Sequence, residues 1–505
     1  MRTSIMMFLV LACLALLVTG QDKKMFCYYS SDARGRTDYG RFTPEDIDPF
    51  LCTHIIVAFA KVLPWGLGPN NLGDDKADGW NALYAKTTAL KLRNPQLRVL
   101  LAVGGWKEGS KPFLPIIENE YTMSKWADNA VSYLREHNMD GMDMDWEFPG
   151  VRGSEPSDKY KFTTLMKTIQ EKFRVEAQDT GNEKMILTLA TAAGTFFIEN
   201  AYEPTKIHKH VDYMLLMTYN YHGMWEENIG HHSSITPSHV DEGERKSLCQ
   251  SWTVQYWLDQ GVPKRKLILG LATYGMSYTL QHPWQTWLGA NATGGGKAGR
   301  MTREKGILAF YEICENIRLN SWTKEWIDEQ NSPYAYGGDQ WVGYDDVTSI
   351  GIKANWLKSQ NLGGAFIWSV EMDDFSGQGC GLGRYPLLTK ISEIIRPSYE
   401  PQSSTAAPPR KPPLATAPPV WRPPTRKPRP EDVFPSIKPI EDPNMPLTCL
   451  ENGVGLWPDD QDCHSFYSCT PYMGRRMSCG PYMAFIPKAQ TCGYTSDACP
   501  PLTRK

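Results

Sequence analysis

The chain has 505 residues and a formal net charge of −3. Such a length holds two to four domains at roughly 150 residues each, fewer if one is a barrel. The near-neutral balance argues against a nucleic-acid binder and against electrostatic anchoring to a membrane. Part of the 17 Trp is core, and so many indoles also suit a groove in which sugar faces stack on rings.

In chain order, Arg2 precedes an apolar run over residues 5–18, followed by small residues up to Gly20. This is the pattern of a secretory signal over 1–20, with a signal anchor as the alternative. No later run is long enough to span a bilayer, so a secreted, extracellular protein is expected, where disulfides persist. Eight apolar runs read as buried strands: "KMFCYYS" (24–30), "THIIVAFA" (53–60), "LRVLLAVGG" (97–105), "MDGMDMDWE" (139–147), "KMILTLATAA" (184–193), "VDYMLLMTY" (211–219), "KLILGLATY" (266–274) and "GGAFIWSV" (363–370). Helical patterns, such as 123–138 and 158–178, lie between them. The alternation predicts an α/β fold with a parallel sheet. Eight units favour a (β/α)8 barrel over residues 21–396. The stretch from about 276 to 362, between the seventh and eighth strands, is too long for one helix and predicts an α+β insertion forming a groove wall. Residues 397–446 are rich in Pro ("TAAPPRKPPLATAPPVWRPPTRKPRP") and predict an extended linker. Residues 447–505 form a cysteine-dense module, too short for a large core and therefore stapled.

The fourth run carries chemistry. Side chains alternate along a strand, so Asp143, Asp145 and Glu147 share one face at two-residue steps of about 6–7 Å. Met142, Met144 and Trp146 take the other. In a barrel the apolar set meets the outer helices and the acids face the lumen, with Glu147 at the C-terminal end where barrel active sites sit. Clustered carboxyls raise one another's pKa, so one stays protonated near neutral pH. A protonated Glu beside an ionised Asp can cleave a glycosidic bond. For the acids alone, Mg or Ca ligation is the alternative; the rest of the chain points to no metal and no cofactor. His208, His210, His231 and His232 are not spaced with convergent acids and read as surface or structural residues.

Residues 140–147, "DGMDMDWE", resemble the DGxDxDWE signature of glycoside hydrolase family 18, the chitinases and chitinase-like lectins. The resemblance covers most of residues 25–395. "LAVGGW" (101–106), "LMTYNYHGMW" (216–225), "QWVGYDD" (340–346) and "GGAFIWSVEMDDFSG" (363–377) are similar to further motifs of that family, in order. The resemblance implies hydrolysis of β-1,4-linked N-acetylglucosamine polymers with substrate-assisted retention. Glu147 would protonate the leaving oxygen while the substrate's own acetamido carbonyl attacks the anomeric carbon. Asp145 would hold the acetamido N–H, Asp143 would share its proton, and Asp140 would support the strand's turn. Tyr219 would donate to the acetamido oxygen. Met217 would lie below the sugar, Trp368 would be its floor, Trp106 and Trp225 would stack neighbouring sugars, and Tyr28 and Tyr274 would complete the walls.

Three positions depart from the family pattern. Asn220 stands where active members usually carry Asp, which predicts a Glu147 less strongly held in its acid form, and so a more acidic optimum or a lower rate. Met276 replaces a frequent Arg, removing a polar contact to a sugar. "CYYSSDARGR" lacks a common Trp, with Asp32 near its place, which predicts weaker binding at the glycone end.

With Cys13 in the signal segment, eleven cysteines remain, an odd number. The resemblance implies Cys27–Cys52 and Cys314–Cys380, and leaves Cys249 as a buried thiol or an intermolecular partner. The tail spacing Cys449-x13-Cys463-x5-Cys469-x9-Cys479-x12-Cys492-x6-Cys499 resembles the peritrophin-A type chitin-binding domain, carbohydrate-binding module family 14. Six cysteines alone allow fifteen pairings; the resemblance implies Cys449–Cys469, Cys463–Cys499 and Cys479–Cys492. Asn291-Ala-Thr293 is a sequon for N-glycosylation. The expectation is a secreted, monomeric chitinase that meets chitin and chito-oligosaccharides, with no nucleic acid or membrane as partner. A chitin-binding lectin without turnover and a structural matrix component are the alternatives.

Overall fold

Among the residues described by the computed structural model, eight parallel strands close into a barrel. They are β1 (Lys24–Ser30), β2 (His54–Leu63), β3 (Arg98–Gly104), β4 (Gly141–Asp145), β5 (Ile186–Thr191), β6 (Tyr213–Leu216), β7 (Leu267–Ala272) and β8 (Gly364–Trp368). Closure comes from β1, which pairs in parallel with both β2 and β8. The described residues are 23–77 and 82–398, with the backbone of five short strands between 455 and 493. The expected signal segment, nearly all of the expected linker and the pairings Cys449–Cys469, Cys463–Cys499 and Cys479–Cys492 lie outside them.

Strands such as β7, "LILGLA", are buried on both faces, as a parallel strand between a packed lumen and covering helices must be. The helix Glu120–Glu136 buries Met123, Trp126, Ala127, Ala130 and Leu134, one stripe at helical spacing. Its Asn119 cap accepts from the Thr122 N–H, which satisfies a donor the helix itself leaves unpaired. The Trp126 indole N–H donates to the carbonyls of Leu63 and Gly66, fixing this helix against the β2 hairpin.

Between β7 and β8 the chain forms a six-stranded antiparallel sheet around Tyr274–Leu280 and Gln340–Gly343. It has its own small core, with Ile229, Met276, Tyr278, Leu280 and Trp341 at its centre. The segment "QWVGYDD" then returns the chain to the barrel. Asp345 forms a fully buried ion pair with Lys353 at 2.6 Å, and the Lys353 ammonium also donates to Ser233 O. Asp346 caps the helix Val347–Ser359, accepting from Thr348 N and Ser349 N at 2.8 and 2.9 Å. Disulfides join Cys27 to Cys52 and Cys314 to Cys380, and Cys249 is a buried free thiol.

The chain divides into two compact units, 1–406 and 407–505. In the second, Gly455–Pro458, Ser465–Cys469 and Gly474–Ser478 form an antiparallel sheet, and Ala484–Ile486 pairs with Thr491–Gly493. No helix among the described residues is long and apolar enough to cross a membrane.

Candidate active site

The acids of β4 are set by strand alternation. Met142, Met144 and Trp146 point outward and are buried. The Trp146 ring stacks on Phe113 at 4.6 Å, meets Phe162 edge-on and donates its indole N–H to Ser110 Oγ. Asp143 and Asp145 take the opposite face and are 0% and 3% exposed. At the strand's entrance Asp140 accepts from the Val99 N–H and pairs with Lys91.

Asp143 is held by two donors from other strands, Tyr28 Oη (β1) at 2.7 Å and Thr188 Oγ1 (β5) at 2.6 Å. Burial raises its pKa to about 6 against the pull of those hydrogen bonds. Burial raises Asp145 further, and the charges of Glu147 and Asp143 add to the effect. Asp145 Oδ1 is buried and has no hydrogen-bond partner in the protein. A buried acceptor left in that state is costly unless something else bonds to it.

Glu147, just beyond β4, is half-buried. Burial pushes its carboxyl up to about 7, opposed by the positive charge of Arg152. Arg152 organises this rim: it donates to Glu147 O at 2.6 Å and to Trp106 O at 3.0 Å, and its guanidinium lies 3.5 Å from the centroid of the Trp106 ring. The Gly-Gly of "LAVGGW" has a steric cause. Gly104 has φ +112°, and a Cβ there would come within 2.3 Å of Asp145 O. The next residue, Gly105, donates its N–H to that same oxygen at 2.7 Å. The turn carrying Trp106 is therefore clamped to the end of the acid-bearing strand.

The remaining sequence-derived residues fall around this column. Tyr219 is 8% exposed, edge-on to Tyr274 and Phe366. Met217 and Trp368 are half-buried, and the Trp368 ring contacts Tyr28 and Phe59. Trp106 and Trp225 are 57% and 59% exposed. Gly223 makes room for Trp225, since a Cβ there would lie 2.4 Å from its ring. Asn220 is exposed with φ +56°, and its Oδ1 accepts from Tyr274 Oη at 2.5 Å.

Two placements differ from expectation. Tyr28 and Tyr274, expected as walls, are 1% and 3% exposed and hold Asp143 and Asn220 from behind. Met276 is buried in the core of the antiparallel sheet, because its strand alternation turns it inward. Asp32 pairs on the surface with Lys107 at 3.3 Å. His231 and His232 are buried and bond backbone carbonyls of Tyr344 and Tyr274. Asn291 is exposed, and its Oδ1 accepts from Asn228. Sequence reasoning did not single out Thr188 or Arg152. Thr188 could be found only by pairing β4 with β5, where it lies opposite Asp143. Among the described residues no group of three His, Cys, Asp or Glu is placed to hold a metal ion.

The site thus sets carboxyls whose pKa values burial raises beside the exposed rings of Trp106 and Trp225. Over 484 residues the chain is 35% identical to chitotriosidase-1 of Mus musculus, covering 94% of this chain and 96% of that protein. The structure of the Ostrinia furnacalis Group II chitinase catalytic domain 2 matches with a TM-score of 0.71 and 34% identity, over 75% of this chain and 98% of that one. Human YKL-39, described as a pseudo-chitinase with retained chitooligosaccharide binding properties, matches with a TM-score of 0.69 and 36% identity, over 74% and 99%. The model for glycosyl hydrolases family 18 matches residues 24–373, and the chain belongs to that family.

Proposed function

We propose that the chain is a secreted chitinase, cleaving β-1,4-linked N-acetylglucosamine polymers with retention of configuration. The observation that carries this is the pairing of a Glu147 carboxyl raised to about 7 with a buried Asp145 oxygen that has no protein partner. Glu147 is protonated near neutral pH and gives its proton to the glycosidic oxygen. The acetamido carbonyl of the substrate attacks the anomeric carbon, the glycosidic C–O bond breaks, and its electron pair leaves with the protonated alcohol. Asp145 Oδ1 accepts the acetamido N–H and stabilises the positive charge that develops. Asp143 shares the proton that two neighbouring carboxyls cannot both release. Water then opens the oxazolinium ion, with Glu147 now acting as the base. Tyr219 donates to the acetamido oxygen, Trp368 is the floor, Met217 lines the base of the sugar site, and Trp106 and Trp225 stack adjacent sugars. Tyr28 and Tyr274 position Asp143 and Asn220.

The antiparallel sheet between β7 and β8 forms one wall of the groove. The first 20 residues direct secretion, 397–446 tether a chitin-binding module at 447–505, and Asn291 carries an N-glycan. The match to mouse chitotriosidase-1, which extends well past the barrel, supports this layout. The anomeric form of the first product, followed by NMR, tests the mechanism: the β-anomer is expected, and an initial α-anomer would contradict a retaining route.

A second reading is a chitin-binding lectin without turnover. Asn220 in place of the family's usual Asp and the likeness to YKL-39 favour it; the acid Glu147 favours turnover.

A further inference from the structure

Residues 281–296, "QHPWQTWLGANATGGG", contain no Asp, Glu, Lys or Arg. The loop is not loosely held. Leu288 and Ala290 are buried in the core of the antiparallel sheet with Ile229 and Trp341. Thr286 O accepts the Trp341 indole N–H at 3.0 Å. Gly289 N donates to Ile229 O, Ile229 N to Ala290 O, and Ala292 N to Glu227 O, all at 2.8–3.0 Å. The loop is thus stitched to the segment that immediately follows Trp225.

From this anchored base two indoles are presented to solvent. Trp284 is 71% exposed and Trp287 57% exposed. The Trp284 ring stacks on His282 at 4.9 Å and 20°, which steadies one face of the indole. Two indoles three residues apart, exposed on an anchored and uncharged loop, offer apolar surface of the kind that binding sites use. Pyranose rings present apolar C–H faces between polar edges, which suits rigid aromatic platforms more than a charged partner would. Continuity of the loop with Trp225 sets the direction from which a long ligand arrives.

We propose that Trp284 and Trp287 form a second carbohydrate platform, which takes up a neutral N-acetylglucosamine polymer beyond the sugars stacked at Trp225. The proposal rests on the reading of the site as a chitin groove. It concerns polymer only: an oligomer that fits within the groove gains nothing from these rings.

The test uses the full-length protein in native gels containing glycol chitin, a soluble polymer, with chitotetraose hydrolysis measured in parallel. Loss of both rings in W284A/W287A is expected to weaken retardation roughly fivefold or more, the scale of one or two aromatic contacts. The pair W284F/W287F should recover most of it, and kcat/KM on chitotetraose should be unchanged in both. Equal retardation of wild type and W284A/W287A would overturn the proposal. So would a wild-type dimer in sedimentation that W284A/W287A dissolves, since the rings would then belong to a second copy. Failure of the wild type to cleave chitotetraose would end the catalytic reading alone, because retardation is read without turnover.

Discussion

Arg152 links Glu147 to Trp106, the proposed acid to a proposed sugar platform. One guanidinium contacts the Glu147 carbonyl, the Trp106 carbonyl and the Trp106 ring, and its charge lowers a carboxyl that burial raises. In Arg152→Gln the opposing charge is gone, so the Glu147 pKa rises above about 7. The basic limb of kcat/KM on a soluble chito-oligosaccharide should shift to higher pH, and loss of the ring contact should raise KM. A basic limb that stays in place would show that the charge is screened from the acid. Glu147 also bears on stability. Its ordinary pKa is 4.5 and its folded value about 7. Below pH 4.5 the group is neutral in both states and costs nothing. As pH rises through that window the unfolded carboxyl ionises and the folded one does not, so stability is lost until about pH 7. Glu147→Gln removes that loss. Thermal melts should show a gain of a few degrees at pH 8 and none at pH 4; an equal gain at both would contradict a raised carboxyl.

At the level of elements, β4 shows how one strand serves packing and chemistry at once. Its outward Trp146 fills the space against Phe113 and Phe162. Trp146→Ala should cost about 3–5 kcal/mol in urea unfolding, the range for a large buried aromatic; a loss under about 1 kcal/mol would mean that the barrel collapses around the gap. The eight strands were legible as apolar runs because a parallel barrel strand is covered on both sides. Their ends were not. The run 211–219 reads as one strand, yet β6 stops at Leu216, because the Thr218 N–H turns back to Leu216 O and Asn220 takes a left-handed φ. The acids of "QWVGYDD" read as part of the family signature, and the structure gives them an ion pair and a helix cap.

On the scale of the whole molecule, Asp143 and Asp145 were legible because alternation on a single strand sets them, and Glu147 follows two residues past its end. What holds the column was not: Tyr28 and Thr188 come from other strands and meet it only on folding, and Arg152, five residues past Glu147, reaches back through the loop after β4. The same holds for Met276, whose burial depends on a sheet formed by sequence-distant strands. The chain divides into two compact units, 1–406 and 407–505, and the proposal gives cleavage to the first and attachment to an insoluble surface to the second. Turnover is tested most directly by release of soluble N-acetylglucosamine oligomers from colloidal chitin by the full-length protein, with Glu147→Gln as control. Oligomers are expected from the wild type and at least a hundredfold fewer from the variant, the scale of a lost general acid. Binding to chitin with no oligomers released by the wild type would contradict it and leave the lectin.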